Sequence, residues 1–194
     1  GFQHITHDVF SSVHTTPTAR EIFIPGSNKA VFVLDGTYIY KSVLTITSIN
    51  LHKNRPLVKP EMVLGTDGYI LTVLGPYLAD HYNNDESITK RTVRTNAEDI
   101  TNWLQEGFVF VVDRGFRDSV DFLQEHGFKV EMPVFLHKGQ KQHSTEYANT
   151  SRLVTKVRWV VDSVNVQVKQ WKFFDKVVPN TLVPHIGDLE LCVH

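Results

Sequence analysis

Cysteine is all but missing from this 194-residue chain, since Cys192 stands alone near its end. One thiol can close no internal disulfide and build no Cys-based zinc cage, and it fits a reducing, intracellular compartment. No run approaches the roughly 20 apolar residues that cross a bilayer. The start, GFQHITHDVF, has no basic segment leading into an apolar one. By these signals the chain is neither secreted nor membrane-spanning. Low-complexity tracts, Pro/Gly/Ser-rich linkers and repeats of about 20 to 50 residues are also missing, which leaves a single domain. Neither sign of charge is in excess: 20 Lys and Arg against 21 Asp and Glu leave a formal net charge of -1. That sum alone argues against nucleic acid as a partner. Gly1 stands where a Met would begin a chain, so a longer polypeptide with a further domain is expected.

With 41% hydrophobic and 11% aromatic residues, the chain has ample material for a core. Residues 1–28 mix polar and aromatic side chains without a sustained period and are expected to form a lead-in around the domain at 29–194. Ala30 to Leu34 is a buried-strand run halted by Asp35-Gly36-Thr37 and resumed at Tyr38 to Tyr40. Leu57 to Leu64 and Tyr69 to Leu74 flank Gly65-Thr66-Asp67-Gly68, which predicts a hairpin, with Pro60 at an edge or a bulge. Helices are predicted after Asn83-Asn84-Asp85-Glu86, from Asn96 to Gly107 and from about Asp118 to His126. Strands are predicted at Phe108 to Val112 and Lys129 to Val134. Leu153, Val157, Val160, Val164, Val168 and Trp171 then recur at helical spacing, although Val164 to Val168 also alternates like a strand. The sum is an α/β domain on a mixed five-stranded sheet flanked by helices.

Two apolar strands therefore end in an acid, Asp35 and Asp113. Ligands of open α/β sheets gather at the carboxyl ends of strands, so both could face one site. A carboxylate at the edge of an apolar run needs compensation: an arginine or a turn cap in the plain case, a metal ion in the functional one. A third acid, Asp162, shares a polar helical stripe with Arg158 and Lys169. Three carboxylates suit hard divalent cations such as Mg²⁺ or Mn²⁺. Phosphodiester cleavage can use two such ions about 3.5–4 Å apart.

The stretches VFVLDGTYIYKS, LHKNRPLVKP, TDGYILTVLGPYLADHYNNDES, FVFVVDRGFRD and TSRLVTKVRWVVDSVNVQVKQWKFFDK resemble, in order, a DDE superfamily endonuclease of the Harbinger-like transposase group. The resemblance runs from about residue 20 to 190. It implies an RNase H-like fold and a transposase catalytic core that cleaves DNA with two Mg²⁺ or Mn²⁺ ions. Its catalytic, metal-binding acids fall on Asp35, Asp113 and Asp162, the last where the family normally has glutamate. The family's arginine and lysine around that acid match Arg158 and Lys169, whereas its tyrosine is Thr155. Asp85 resembles a further acidic position that would assist the metal site, and as a helix cap it needs no such role. A transposable-element origin, nuclear residence, a possible homo-oligomer and a separate sequence-specific DNA-binding module outside this chain are implied as well. The alternative is a domesticated copy that has lost catalysis and binds nucleic acid or protein.

Other chemistries find less. His4 with His7 and His137 with His143 lack the partners and spacing of zinc sites. No G-x-S-x-G elbow or phosphate-binding glycine loop occurs, and nothing positive recommends a two-carboxylate glycosidase. Charge distribution reverses the first impression left by its sum. Residues 137 to 176 hold eight Lys and Arg, among them Lys138, Lys141, Lys156, Arg158, Lys169 and Lys172, against three acids. Such a segment can hold DNA phosphates, with Lys156, Arg158, Lys169 and Lys172 as the expected contacts.

Overall fold

The computed structural model describes residues 4–42, 49–50, 55–134 and 145–191. Alternation along its strands sets the layering. In β1 (Val31–Gly36), Val31 and Val33 enter one core while Phe32 and Leu34 enter another on the opposite face. β6 (Val109–Val111) repeats the pattern, with Val109 and Val111 on the first side and Phe110 on the second. A sheet with two apolar faces must be covered twice, and helices lie on both.

The long strand β4 (Arg55–Gly65) organises the sheet. Along one edge it pairs antiparallel with β1 and β2 (Ile39–Tyr40) and along the other with β5 (Ile70–Leu78), and its first two residues pair antiparallel with the two-residue β3 (Ile49–Asn50). Beyond β1 come β6 and β7 (Lys129–Glu131), both parallel to it. The principal order is therefore β5-β4-β1-β6-β7, a mixed open sheet. The expected five strands become six in this sheet, with β3 as an additional short pairing on β4. The first strand divides because the chain leaves the ladder at Thr37, whose N–H donates to the Pro60 carbonyl at 3.1 Å, before resuming as β2. Pro60 lies inside a doubly paired strand, and a register shift between Lys59 and Glu61 accommodates its missing N–H. The bulge is thus realised and the edge is not.

The N-terminal lead-in is helical. α1 (His7–His14) is capped by Thr6, and α2 (Pro17–Phe23) by Thr16 with a proline in its first turn. α1 buries Phe10, whose ring stacks on Phe32 at 4.8 Å, and α2 buries Ala19. On the Phe32 side lie α3 (Asp85–Arg94), α4 (Ile100–Trp103) and α5 (Val120–Glu125). The other face is covered chiefly by α6 (Thr145–Gln170), helped by α7 (Ile186–Leu191). α6 runs unbroken through Val164–Val168, so the strand alternative is not realised. Its buried stripe is Val154, Val157, Val161, Val164 and Val168, while Leu153 and Trp171 are 41% and 43% exposed. The expected stripe was rotated by about one residue at its ends, because 153, 160 and 171 follow the same approximate spacing as the true face.

Candidate active site

Register brings the first two acids together. Val33 pairs with Val111 across parallel β1 and β6, so Asp35 and Asp113, each two residues further on, leave adjacent strand ends. Asp35 is largely buried. Its Oδ1 accepts from Arg158 Nη2 at 3.4 Å and its Oδ2 from Asn165 Nδ2 at 3.3 Å, both from α6. Burial raises the Asp35 carboxyl to about 6, opposed by Arg158 and reinforced by the negative charges of Asp113 and Asp85. Asp113 opens the 3₁₀ turn Arg114–Ser119, and its Oδ1 accepts the Gly115 N–H at 2.7 Å. The plain compensations are therefore both present: an arginine for Asp35 and a turn cap for Asp113.

Asp85 enters the same place from the start of α3. It does not cap that helix. Asn84 does, accepting from Ser87 N–H at 2.8 Å, which leaves the Asp85 side chain free to point elsewhere. Asp85 Oδ1 contacts the Lys59 ammonium. Its Oδ2 faces Gly115, where a Cβ would sit 2.8 Å from that oxygen and 2.9 Å from Asp113 Oδ1. Two carboxylate oxygens thus lie so close over residue 115 that only a glycine fits beneath them.

Behind them lies Glu61 of β4, only 2% exposed. Burial pushes its carboxyl up to about 8, against the hydrogen bond from Thr89, so it is protonated at neutral pH. Thr89 Oγ1 lies 3.0 Å from Glu61 Oε1 and 2.8 Å from the Asp85 carbonyl, and one hydroxyl proton serves only one acceptor at a time. Glu61 Oε2 is buried without a hydrogen-bond partner. Four acids, Asp35, Glu61, Asp85 and Asp113, accordingly share one region with two cations, Lys59 and Arg158.

Asp162 is placed differently. It lies on α6 between Arg158 and Asn165, but on the exposed side of the helix, and the strongest charges acting on Asp35 come from Arg158, Asp113 and Asp85. Arg158, expected to meet phosphate, is turned inward onto Asp35, with Nε buried and unbonded. Lys156, Lys169 and Lys172 are exposed. Lys156 lines an open groove of about 700 Å³ with Arg114, Ser151, Arg152, Thr155 and Trp159. Trp159 is 66% exposed, and Arg114 directly follows Asp113 in the chain, so a basic, aromatic surface adjoins the acids. Lys138, Lys141, His137, His143 and Cys192 lie outside the described residues. His4 bonds the Tyr69 hydroxyl at 3.0 Å, and His7 bonds Asp8 and Gln105.

No protein-family model, curated protein or solved structure matches the chain. What the site can do rests on its own chemistry.

Among the described residues, no three His, Cys, Asp or Glu side chains are grouped to hold a metal ion as they stand. The donor set nevertheless suits a hard cation: carboxylate oxygens from Asp85 and Asp113 both lie beside Gly115, and the charges of both acids act on Asp35. Lys59, Glu61 and Asn165 escaped sequence reasoning. Lys59 and Glu61 flank Pro60 in an otherwise apolar run, which is the one signal that could have found them. Asn165 becomes visible only once the α6 face is known.

Proposed function

We propose that the chain is the catalytic core of a divalent-metal-dependent DNA endonuclease or transposase with an RNase H-like fold. The observation that carries this reading is the convergence of Asp35 and Asp113 from adjacent parallel strand ends, joined by Asp85. The sheet order supports the fold assignment: an antiparallel pair flanks one side of β1, and two parallel strands flank the other. Asp85 and Asp113 would hold a divalent ion beside Gly115, with Asp35 next to them, and a second ion would draw on Asp35. Bound Mg²⁺ or Mn²⁺ would supply an activated water and charge stabilisation at the leaving oxygen. The protein's own part is positional. Asn165 and Arg158 fix the Asp35 carboxylate, and the Gly115 N–H fixes that of Asp113. Lys156, Lys169 and Lys172, with Arg152 and Trp159 in the groove, would hold a DNA strand by salt-dependent phosphate contacts and stacking. Nuclear residence, subunit pairing and a separate DNA-recognition module belong to this same reading.

A second reading has a specific observation in its favour. Asp35, Asp85 and Asp113 each already have a protein partner, and Asp162 is exposed, as expected of a domesticated binding module that no longer cleaves. Calorimetric titration with Mn²⁺ tests the metal-site reading. Binding by the wild-type chain and its loss in Asp35→Ala are expected; no binding, or equal binding by both, would contradict it.

A further inference from the structure

Two protein cations reach the acids, and they are held differently. Arg158 comes from α6, keeps 21% of its side chain exposed and stands 3.4 Å from Asp35. Lys59 comes from the bulged centre of β4, keeps only 5% of its side chain exposed and contacts Asp85 directly. Its stem crosses Gly36 so closely that a Cβ there would collide with Lys59 Cε, and its ammonium lies 5.7 Å from the centre of the Tyr38 ring. A buried ammonium needs a paired anion, and Asp85 provides one.

Asp85 is therefore shared. One oxygen holds Lys59, and the other lies beside Gly115, as does an oxygen of Asp113. The geometry points to Lys59 as the resident counter-cation of this site: it neutralises Asp85 while no divalent ion is bound and competes with the ion for that carboxylate. Lys59 thereby sets the affinity of the site. A dication beside Asp85 draws electron density and charge pairing from the carboxylate that the ammonium also needs, and the two cations repel at close range. Replacing Lys59 by an uncharged side chain removes both the competitor and the repulsion. This inference rests on the reading of the acids as a metal site.

The experiment is a calorimetric titration of Mn²⁺ into the full chain, Lys59→Met, Asp85→Asn and the double variant, with folding followed by circular dichroism. Lys59→Met is expected to bind Mn²⁺ at least about tenfold tighter than wild type, and the gain is expected to vanish when Asp85 is also Asn. If Lys59→Met does not fold unaided, Lys59→Gln carries the same expectation. Unchanged or weaker binding in a folded Lys59 variant, with wild type still binding, would overturn the role of Lys59 and leave the metal site standing. Absence of Mn²⁺ binding in every protein would overturn both. A gain that persists in the double variant would overturn competition at Asp85.

Discussion

Asp85 and Asp162 separate two ways of completing the site. Asp85 and Asp113 both place an oxygen beside Gly115, whereas Asp162, one helical turn on from Arg158, is exposed. Asp85→Asn is therefore expected to lower Mn²⁺-dependent nicking about 100-fold or more, on the scale of losing a transition-state charge contact. Asp162→Asn is expected to cost about tenfold at most. The reverse ranking in a plasmid-nicking assay would return the third position to Asp162. Titration offers a second check. Asp35 is raised to about 6 and Glu61 to about 8, so the folded protein retains protons that the unfolded chain releases near pH 4. Their favourable contribution is complete below that range and is lost as pH rises, for Asp35 by about 6 and for Glu61 by about 8. The melting temperature of the metal-free protein is expected to fall from pH 5 to pH 8.5. In Glu61→Gln the decline above pH 6 should largely disappear, and equal slopes in the two proteins would count against a neutral buried Glu61. Asp35 and Asp113 were legible in the sequence because an acid ending an apolar strand is conspicuous. Glu61 and Lys59 were not, because the bulge that aims them inward depends on how β4 pairs with two neighbours.

The elements show where periodicity sufficed and where it did not. β1, the β4–β5 hairpin, β6 and α6 are long or strongly apolar, and each was legible from its pattern. The stripe of α6 slipped at its ends because seven valines along the helix offer several nearly equivalent faces, and only the sheet selects one. α1 and α2 are short, and their apolar residues are too few to set a period. Thr16-Pro17 was their readable signal, since a threonine cap before a first-turn proline starts a helix. The N-terminal helices are part of the fold and not a wrapping. Phe10 is fully buried, stacks on Phe32 and meets the Trp103 ring edge-on at 5.7 Å. Phe10→Ala is expected to destabilise the chain by about 3–5 kcal/mol in urea unfolding. A loss below about 1 kcal/mol would mean that α1 docks only peripherally.

At the scale of the molecule, the sheet does two jobs with one register. Its alternation buries separate cores on both faces, and its parallel centre delivers Asp35 and Asp113 to neighbouring strand ends, where α3 adds Asp85 and β4 adds Lys59. Charge follows the same division. The acids converge at those strand ends, and Arg152, Lys156, Lys169 and Lys172 lie along and just beyond α6 on exposed positions. A near-neutral total thus conceals an acidic centre beside a basic flank. The order of the elements from β4 to α6 was legible from the sequence, whereas the pairing of each acid with a particular cation was not, because it depends on side chains separated by 26 positions for Lys59 and Asp85 and 123 for Asp35 and Arg158. Whether that centre acts on phosphodiester bonds is decided by incubating supercoiled plasmid DNA with Mn²⁺ and either the wild-type chain or Asp113→Ala. Wild type is expected to nick the plasmid and Asp113→Ala to leave it supercoiled; nicking by both alike, or by neither, would contradict a carboxylate-borne nuclease.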